Sequence, residues 1–97
     1  MNPEPAGTIN GAWMPTAVFQ SESGVTSERL RKAFGEKNID ARSFFHPLSA
    51  LPMFVDQGHV ANKWASDIPK RAINLPSYHD ITSHEMDRVC SVVLEQQ

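Results

Sequence analysis

The chain has 97 residues, a length that fits one domain and leaves little room for a deep cleft enclosing both a substrate and a cofactor. Hydrophobic residues make up 40% and charged residues 21%, and the net charge is -2, as in ordinary globular proteins. Binding to nucleic acid requires clustered lysine and arginine, so this charge balance argues against a nucleic-acid partner.

Three features of the sequence predict where in the cell the chain is located. The first residues, MNPEPAGTIN, have neither the basic start nor the apolar run of a signal peptide. No apolar stretch approaches the roughly 18 residues of a membrane span. Cys90 is the single cysteine, which excludes a disulfide within the chain and suits a reducing compartment. We therefore expect a cytoplasmic protein that does not contact a membrane.

The first third of the chain predicts a lead-in, a strand and a helix. Residues 1–10 contain prolines, a glycine and no apolar pattern, so we expect a flexible lead-in before a domain that spans 11–97. Residues 11–20 favour a strand, because they are rich in Trp, Val, Thr and Phe. Residues 27–38 favour a helix, with the Thr26 hydroxyl as its N-terminal cap and Asn38 as a left-handed end. The side chains predicted to be buried on this helix are Leu30, Ala33 and Phe34.

The rest of the chain predicts two further strands and two further helices. Residues 39–45 favour a strand, and residues 59–68 favour a helix that Pro69 stops. Residues 72–76 favour a short strand, and residues 83–96 a final helix. The order β-α-β-loop-α-β-α predicts an α+β domain, with a small antiparallel sheet of about three strands and three helices on one face.

The final helix carries the clearest local signals. Thr82 and Glu85 have the spacing of a capping box, and Ile81 and Met86 that of a hydrophobic staple. We expect Cys90 to be a buried structural cysteine, because it falls on the apolar stripe of this helix. The residues assigned to that stripe are Met86, Val89, Cys90 and Val93.

Motifs of known catalytic or metal sites are missing. Histidines 46, 59, 79 and 84 have no zinc-binding spacing, which predicts no metal site. Asp56 and His59 lie close enough in sequence to form an acid–base pair, although surface polarity accounts for both. The serines lack a G-x-S-x-G elbow, and no glycine-rich phosphate loop is present.

The segment FFHPLSALPMF, residues 44–54, is unusually apolar for a loop. Seven of its eleven residues are apolar, and two prolines break any helical or strand periodicity. Two interpretations remain open, a loop that fills the core and a surface that docks another domain or another copy of the chain. The residues assigned to this surface are Phe44, Phe45, Leu48, Leu51, Met53 and Phe54.

The same segment resembles a motif of the DegT/DnrJ/StrS-type aminotransferases, which make amino sugars on nucleotide carriers with pyridoxal phosphate. The motif has an arginine, an aromatic pair, Pro-Leu and a second proline, as in NIDARSFFHPLSALPMF. The segment AINLPSYHDITSHEMDRVCSVV is similar to the family's ending. The resemblance covers about residues 11–96 and implies the C-terminal small domain of fold-type I pyridoxal phosphate-dependent transferases.

The resemblance also implies that this chain alone is not an enzyme. In the family, the cofactor forms a Schiff base with a lysine of a large N-terminal domain, and that domain is missing from these residues. We therefore expect no cofactor unless a separate large domain supplies the pyridoxal phosphate site, and neither Lys32, Lys37, Lys63 nor Lys70 lies in a family lysine motif. The chain would then be a non-catalytic domain, an interaction module that forms a homodimer, or half of a split aminotransferase.

Three residues are candidates for the substrate side if the chain is joined to a large domain. They are Arg42, His46 and Ser49, because the family's matching loop closes over the active site. Many members have a histidine at the position of Ser49, so this chain departs from the pattern there. An ion pair with Asp40 or Asp87 is an equal interpretation of Arg42, and plain surface exposure accounts for His46.

Overall fold

The computed structural model describes residues 3–54 and 62–97. It contains a three-stranded antiparallel sheet and three α-helices, so the predicted α+β fold is confirmed. Short 3-10 turns cover Ser21–Ser23, Leu48–Ala50 and Ile68–Lys70. In chain order, the elements are β1 (Thr16–Val18), α1 (Ser27–Glu36), β2 (Arg42–Ser43), α2 (Lys63–Asp67), β3 (Ala72–Asn74) and α3 (Ser83–Glu95).

The last strand in sequence is the central strand of the sheet, because the spatial order is β1-β3-β2. Thr16 of β1 and Arg42 of β2 both lie opposite Asn74 of β3. Ala17 lies opposite Ile73 in the same register. Since directly opposed residues project from the same face of a sheet, Thr16, Asn74 and Arg42 form one row across all three strands.

Helix α1 supplies the centre of the hydrophobic core. Leu30 and Phe34 are 0% and 1% exposed, and α1 packs against β2, β3 and α3. Ala33 is partly buried against the same cluster, so the predicted buried face of this helix is confirmed. The buried members of the core are Ala17, Phe19, Val25, Leu30, Phe34, Ile73, Val89 and Val92.

The signals at the ends of two helices are also confirmed. The Thr26 hydroxyl accepts a hydrogen bond from the Arg29 backbone N–H at 3.2 Å. Asn38 has a φ of 54°, the left-handed conformation predicted for the chain after α1. Thr82 and Glu85 form the complete capping box, with the Glu85 carboxylate 2.8 Å from the Thr82 backbone nitrogen. The interactions at these helix ends join residues that are close together in the sequence, so the sequence alone predicts them.

The buried face predicted for α3 is wrong for two of its members. Met86 is 46% exposed and Cys90 is exposed, whereas Val92 is 2% exposed. Val89 is buried, as predicted. Apolar residues are so dense in the second half of α3 that they fit two overlapping helical stripes. The position of α1 determines which of the two stripes is buried. The spacing of residues within α3 cannot predict this choice.

The strands are shorter than predicted, although all three exist. The predicted strands 11–20 and 39–45 shorten to the few residues of β1 and β2 that pair with β3. A strand needs a hydrogen-bonding partner over its whole length, and β3 offers only three residues. Strand propensity cannot reveal this limit, because the partner is distant in sequence.

Helix α2 is shorter than the predicted helix 59–68, of which residues 59–61 lie outside the described part of the chain. The predicted acid–base pair, Asp56 and His59, lies outside it as well. In the sequence, Trp64, Ala65 and Ile68 recur at helical spacing and predict an apolar face for this helix, but Trp64 is 62% exposed, so the prediction is wrong for this residue. A five-residue helix has little more than one turn, which is too short to present the continuous apolar face that the pattern requires.

Arg71 joins the end of α2 to the sheet. Its guanidinium donates to the Asp67 carboxylate, with Nη2 2.7 Å and Nε 3.1 Å from the same oxygen. The guanidinium also donates to the backbone carbonyl of Phe19, just beyond β1. The pKa of Asp67 is lowered, mainly because Arg71 donates a hydrogen bond to the ionised carboxylate. This contact fixes the chain between α2 and β3 against the first strand.

Candidate functional site

Arg42 lies on an edge strand at the rim of an open cavity of about 360 Å³. Its Nη2 atom is 3.4 Å from Oδ2 of Asp40, and both side chains are more than three-quarters exposed. Asp40 is therefore the acidic neighbour, as one interpretation of the sequence predicted. An ion pair this exposed contributes little to stability. Because the Arg42 side chain is exposed and lines the cavity, its guanidinium is accessible from the cavity. The cavity is lined by Trp13, Met14, Asp40, Arg42, Asn74, Leu75, Pro76, Ser77 and Tyr78.

His46 and Ser49 lie outside that cavity, although they follow Arg42 closely in sequence. His46 is exposed and immediately precedes the Pro47 cap of a 3-10 turn. Ser49 is exposed in the middle of that turn. The structure thus places all three predicted substrate-side residues at the surface, and it places only Arg42 in the wall of the cavity.

Two aromatic rings connect the cavity to the apolar loop. Trp13 and Phe45 stack, with ring centroids 6.3 Å apart and an angle of 11° between their planes. Phe44 meets Phe45 edge to face, with centroids 5.7 Å apart. Trp13 is 74% exposed and Phe45 is 54% exposed. Both rings thus expose apolar area of the kind that aromatic residues bury in protein interfaces.

The loop over residues 44–54 remains largely outside the core. Leu48 is 70% exposed and Met53 is 67% exposed, while Phe44 and Leu51 are half-buried. Among the described residues, the core cluster includes none of these side chains. We call the exposed set the apolar loop surface. It consists of Trp13, Phe45, Leu48, Met53 and Phe54.

Sequence reasoning missed Trp13, Asn74 and Tyr78 as members of this region. In the sequence Trp13 reads only as a strand-forming residue, although Pro15, two residues later, indicates that the strand is interrupted there. Asn74 offered a usable signal, because a polar amide within a buried apolar strand requires hydrogen-bonding partners. Tyr78 offered none, because its position depends on the turn that brings it to the cavity.

Tyr78 is connected to the cap of α3 through Glu85. The pKa of Tyr78 is raised, first because its hydroxyl is hydrogen-bonded to Glu85 and then because of burial. The pKa of Glu85 is lowered, first by the hydroxyl and backbone N–H of Thr82 and then by Tyr78. The capping carboxylate therefore also influences the titration of a residue in the cavity wall.

The lysines of the chain do not fit the requirements of pyridoxal phosphate. That cofactor needs an amine within a pocket that also supplies an acidic partner and phosphate contacts. Lys32 pairs with Glu36 at 4.0 Å on the outer side of α1, with both side chains well exposed. Lys63 lies over the exposed Trp64 ring, and Lys37 and Lys70 are exposed. No step of a pyridoxal phosphate reaction can be assigned to these residues.

The remaining surfaces offer few features for chemistry. Across 3–54 and 62–97, no three residues of the His, Cys, Asp and Glu types come together as a metal site would require. His79 lies 3.8 Å from Asp80, and both side chains are exposed. Within the same ranges, no helix has the length and apolarity needed to cross a membrane.

The sequence comparisons decide the family. The sequence model of the DegT/DnrJ/EryC1/StrS aminotransferase family matches residues 1–94. The chain belongs to this family.

Three curated proteins are similar to the chain over most of its length. A GDP-perosamine synthase of Vibrio cholerae is 28% identical over 94 residues, covering 93% of this chain. EpsN of Bacillus subtilis (strain 168), which carries the provisional name of a pyridoxal phosphate-dependent aminotransferase, is 31% identical over 95% of this chain. A GDP-perosamine synthase of Escherichia coli O157:H7 is 29% identical over 86% of it.

The matches also define how much of a family member the chain represents. The aligned region is 25%, 24% and 22% of the three relatives' own lengths, respectively. The chain thus spans about a quarter of the length of the curated relatives it matches. The comparison with solved structures gave no significant match.

Proposed function

We propose that the chain acts as the C-terminal small domain of a sugar aminotransferase and does not catalyse transamination by itself. Its match to the family covers about a quarter of each relative, and its four lysines lie on the surface. Transamination with pyridoxal phosphate needs a lysine held beside the cofactor. A large domain outside these residues would have to supply that lysine and the cofactor site.

The apolar loop surface is the proposed contact with this large domain. The observation that carries the proposal is the exposure of Phe45, Leu48 and Met53, each more than half exposed beside a core that closes without them. Monomeric proteins rarely expose large contiguous apolar patches unless these serve as contact sites. The Trp13–Phe45 stack makes part of this surface rigid before binding, which lowers the entropic cost of association.

Arg42, His46 and Ser49 are the proposed substrate-side residues of the assembled site. The relatives named GDP-perosamine synthase carry a guanosine diphosphate group in their name. A guanidinium at a cavity rim is well suited to such an anion, because it offers paired N–H donors and a permanent charge. His46 and Ser49 sit on the adjoining loop, where closure onto a large domain would bring them toward the same ligand.

The docking proposal is tested with a large domain from a relative. We would mix the chain with the Vibrio cholerae GDP-perosamine synthase lacking its own last quarter and measure binding by titration calorimetry. Phe45→Ser should weaken the complex at least about tenfold, the loss expected for a central aromatic contact. Leu94→Ser is the matched control, because Leu94 is 63% exposed on α3 and outside the apolar loop surface. Equal loss with both variants would contradict the proposal.

The lack of catalysis by the chain alone is tested with the cofactor. Mixed with pyridoxal phosphate at neutral pH, the chain should give the spectrum of free cofactor plus weak exchangeable adducts. Reduction with borohydride should label no single lysine preferentially. Stoichiometric labelling of Lys32, Lys37, Lys63 or Lys70 would show that the chain holds the cofactor by itself and would end this part of the proposal.

Self-association is a second candidate function for the same surface. An exposed apolar surface can pair with its own copy around a two-fold axis when it is self-complementary. Sedimentation of the chain at micromolar concentration distinguishes the two functions. A dimer that Phe45→Ser converts to a monomer would favour self-association, whereas a monomer that binds the large domain would favour the first function.

A further inference from the structure

Asn74 is an unusual residue for the central strand of this sheet. Asparagine is depleted in strands, and Asn74 is 3% exposed at the end of β3, after the fully buried Ala72 and Ile73. A buried amide without hydrogen bonds costs free energy. The presence of Asn74 here therefore requires partners for both ends of its side chain.

The amide of Asn74 bonds to both edge strands. Oδ1 accepts a hydrogen bond from the Thr16 hydroxyl of β1 at 2.9 Å, and Nδ2 lies 3.4 Å from the backbone carbonyl oxygen of Ser43 in β2. The reverse orientation of the amide would place two oxygens, Oδ1 and the Ser43 carbonyl, against each other. The two contacts thus fix the amide in one orientation, and a single side chain links all three strands.

The contact from Asn74 adds to the short backbone pairing of β2 with β3 and to the packing of β2 against α1. β2 has only two residues, both exposed, at an edge of the sheet. One of them is Arg42, which lies directly opposite Asn74, and the other leads into the apolar loop. Asn74 and Arg42 also line the same cavity. The amide is therefore placed where it can set the position of Arg42.

We propose that Asn74 is a positioning residue that clamps β2 to the sheet and so fixes Arg42 and the start of the apolar loop surface. The importance of a fixed Arg42 for substrate binding rests on the proposed function of the chain as part of an aminotransferase. The clamp acts through the Ser43 carbonyl, and the amide itself does not contact substrate. Without it, β2 should open from β3 more often, and Phe45 should lose its fixed place against Trp13.

Hydrogen exchange and nuclear Overhauser contacts of the whole chain test the clamp. In Asn74→Leu, the protected backbone amides of residues 41–45 should exchange at least about tenfold faster, as local opening predicts, and the contacts between the Trp13 and Phe45 rings should disappear. The amides of α1 and α3 should keep their protection. Unchanged exchange in residues 41–45 together with an intact ring contact would overturn the proposal.

Thr16→Val is the matched control, because it removes the bond to Oδ1 and leaves the bond to Ser43. It should lower global stability without selective opening of β2, and selective opening equal to that of Asn74→Leu would overturn the proposal. Asn74→Ala adds no bulk and is used if Asn74→Leu does not fold. If neither folds, slow exchange of the Asn74 side-chain amide in the unsubstituted chain supports the clamp, and free exchange overturns it. All these measurements use the chain alone, so a failure of docking would leave their result intact.

Discussion

Trp13 and Phe45 stack across the two edge strands of the sheet, which do not pair with each other. Trp13 precedes β1 and Phe45 follows β2, so the ring pair joins segments that β3 otherwise separates. The stack lies at the surface and not in the core, since both rings are more than half exposed. It connects the cavity beside Arg42 with the loop that we propose docks onto a large domain.

The stack should contribute a small and measurable coupling energy. In a double-mutant cycle of Trp13→Ala and Phe45→Ala, we expect about 0.5 kcal/mol, the low end for aromatic pairs, because both rings retain much of their hydration. Urea denaturation of the four proteins gives the value. Trp13→Ala combined with Leu94→Ala should be additive. A coupling of zero in the first cycle would mean that the rings do not stack in solution.

Loss of Leu30 should be far more destabilising than loss of Leu48. Leu30 is 0% exposed in the centre of the core, and Leu48 is 70% exposed in the apolar loop. Leu30→Ala removes packed atoms and leaves a cavity, at a cost of about 2–5 kcal/mol, whereas Leu48→Ala should change the free energy of unfolding by less than about 0.5 kcal/mol. Denaturation followed by circular dichroism measures both. Comparable losses would mean that the loop belongs to the core.

The cap of α3 should weaken in acid because of Glu85. The pKa of Glu85 lies below its ordinary value of 4.5, mainly because the Thr82 hydroxyl stabilises the carboxylate. The stability that ionised Glu85 gives to the folded state is therefore present above about pH 4.5, and it is lost as the pH falls through the lower pKa of the folded state.

Thermal unfolding of the unsubstituted chain and of Glu85→Gln checks this dependence. The difference between their midpoints should be greatest near neutral pH and should narrow below about pH 4. Glu95→Gln, at the other end of α3, is the control, and the difference between its midpoint and that of the unsubstituted chain should not narrow in the same way at low pH. A midpoint difference that stays constant with pH would show that the ionised Glu85 carboxylate does not stabilise the N-terminus of α3.

Cys90 should react with thiol reagents in the folded chain. It is exposed on α3, contrary to its predicted place on the buried stripe. We expect its rate with Ellman's reagent to lie within about tenfold of the rate in the unfolded chain, because no local unfolding is needed. Val92→Cys in a Cys90→Ser background is the control, and it should be strongly protected because Val92 is 2% exposed. Protection of Cys90 itself would restore the original prediction.

The candidate functional region was only partly predictable from the sequence. The motif around Arg42 and the apolar loop are continuous in sequence, so they could be recognised together, and Asp40 was correctly named as a neighbour of Arg42. Asn74 comes from β3 and Trp13 from the segment before β1, and only the pairing of both edge strands with β3 brings them to Arg42. That pairing depends on contacts between residues distant in sequence.

The sequence by itself determined the order of the elements, the family, and the helix ends at Thr26 and Thr82. These features depend on short-range hydrogen bonds and on the spacing of neighbouring residues, which a linear pattern records. Tertiary structure alone decided the length of each strand and the choice of Val92 over Cys90 for the core. The reason is physical: strand pairing and the burial of a helix face depend on partners that are far away along the chain.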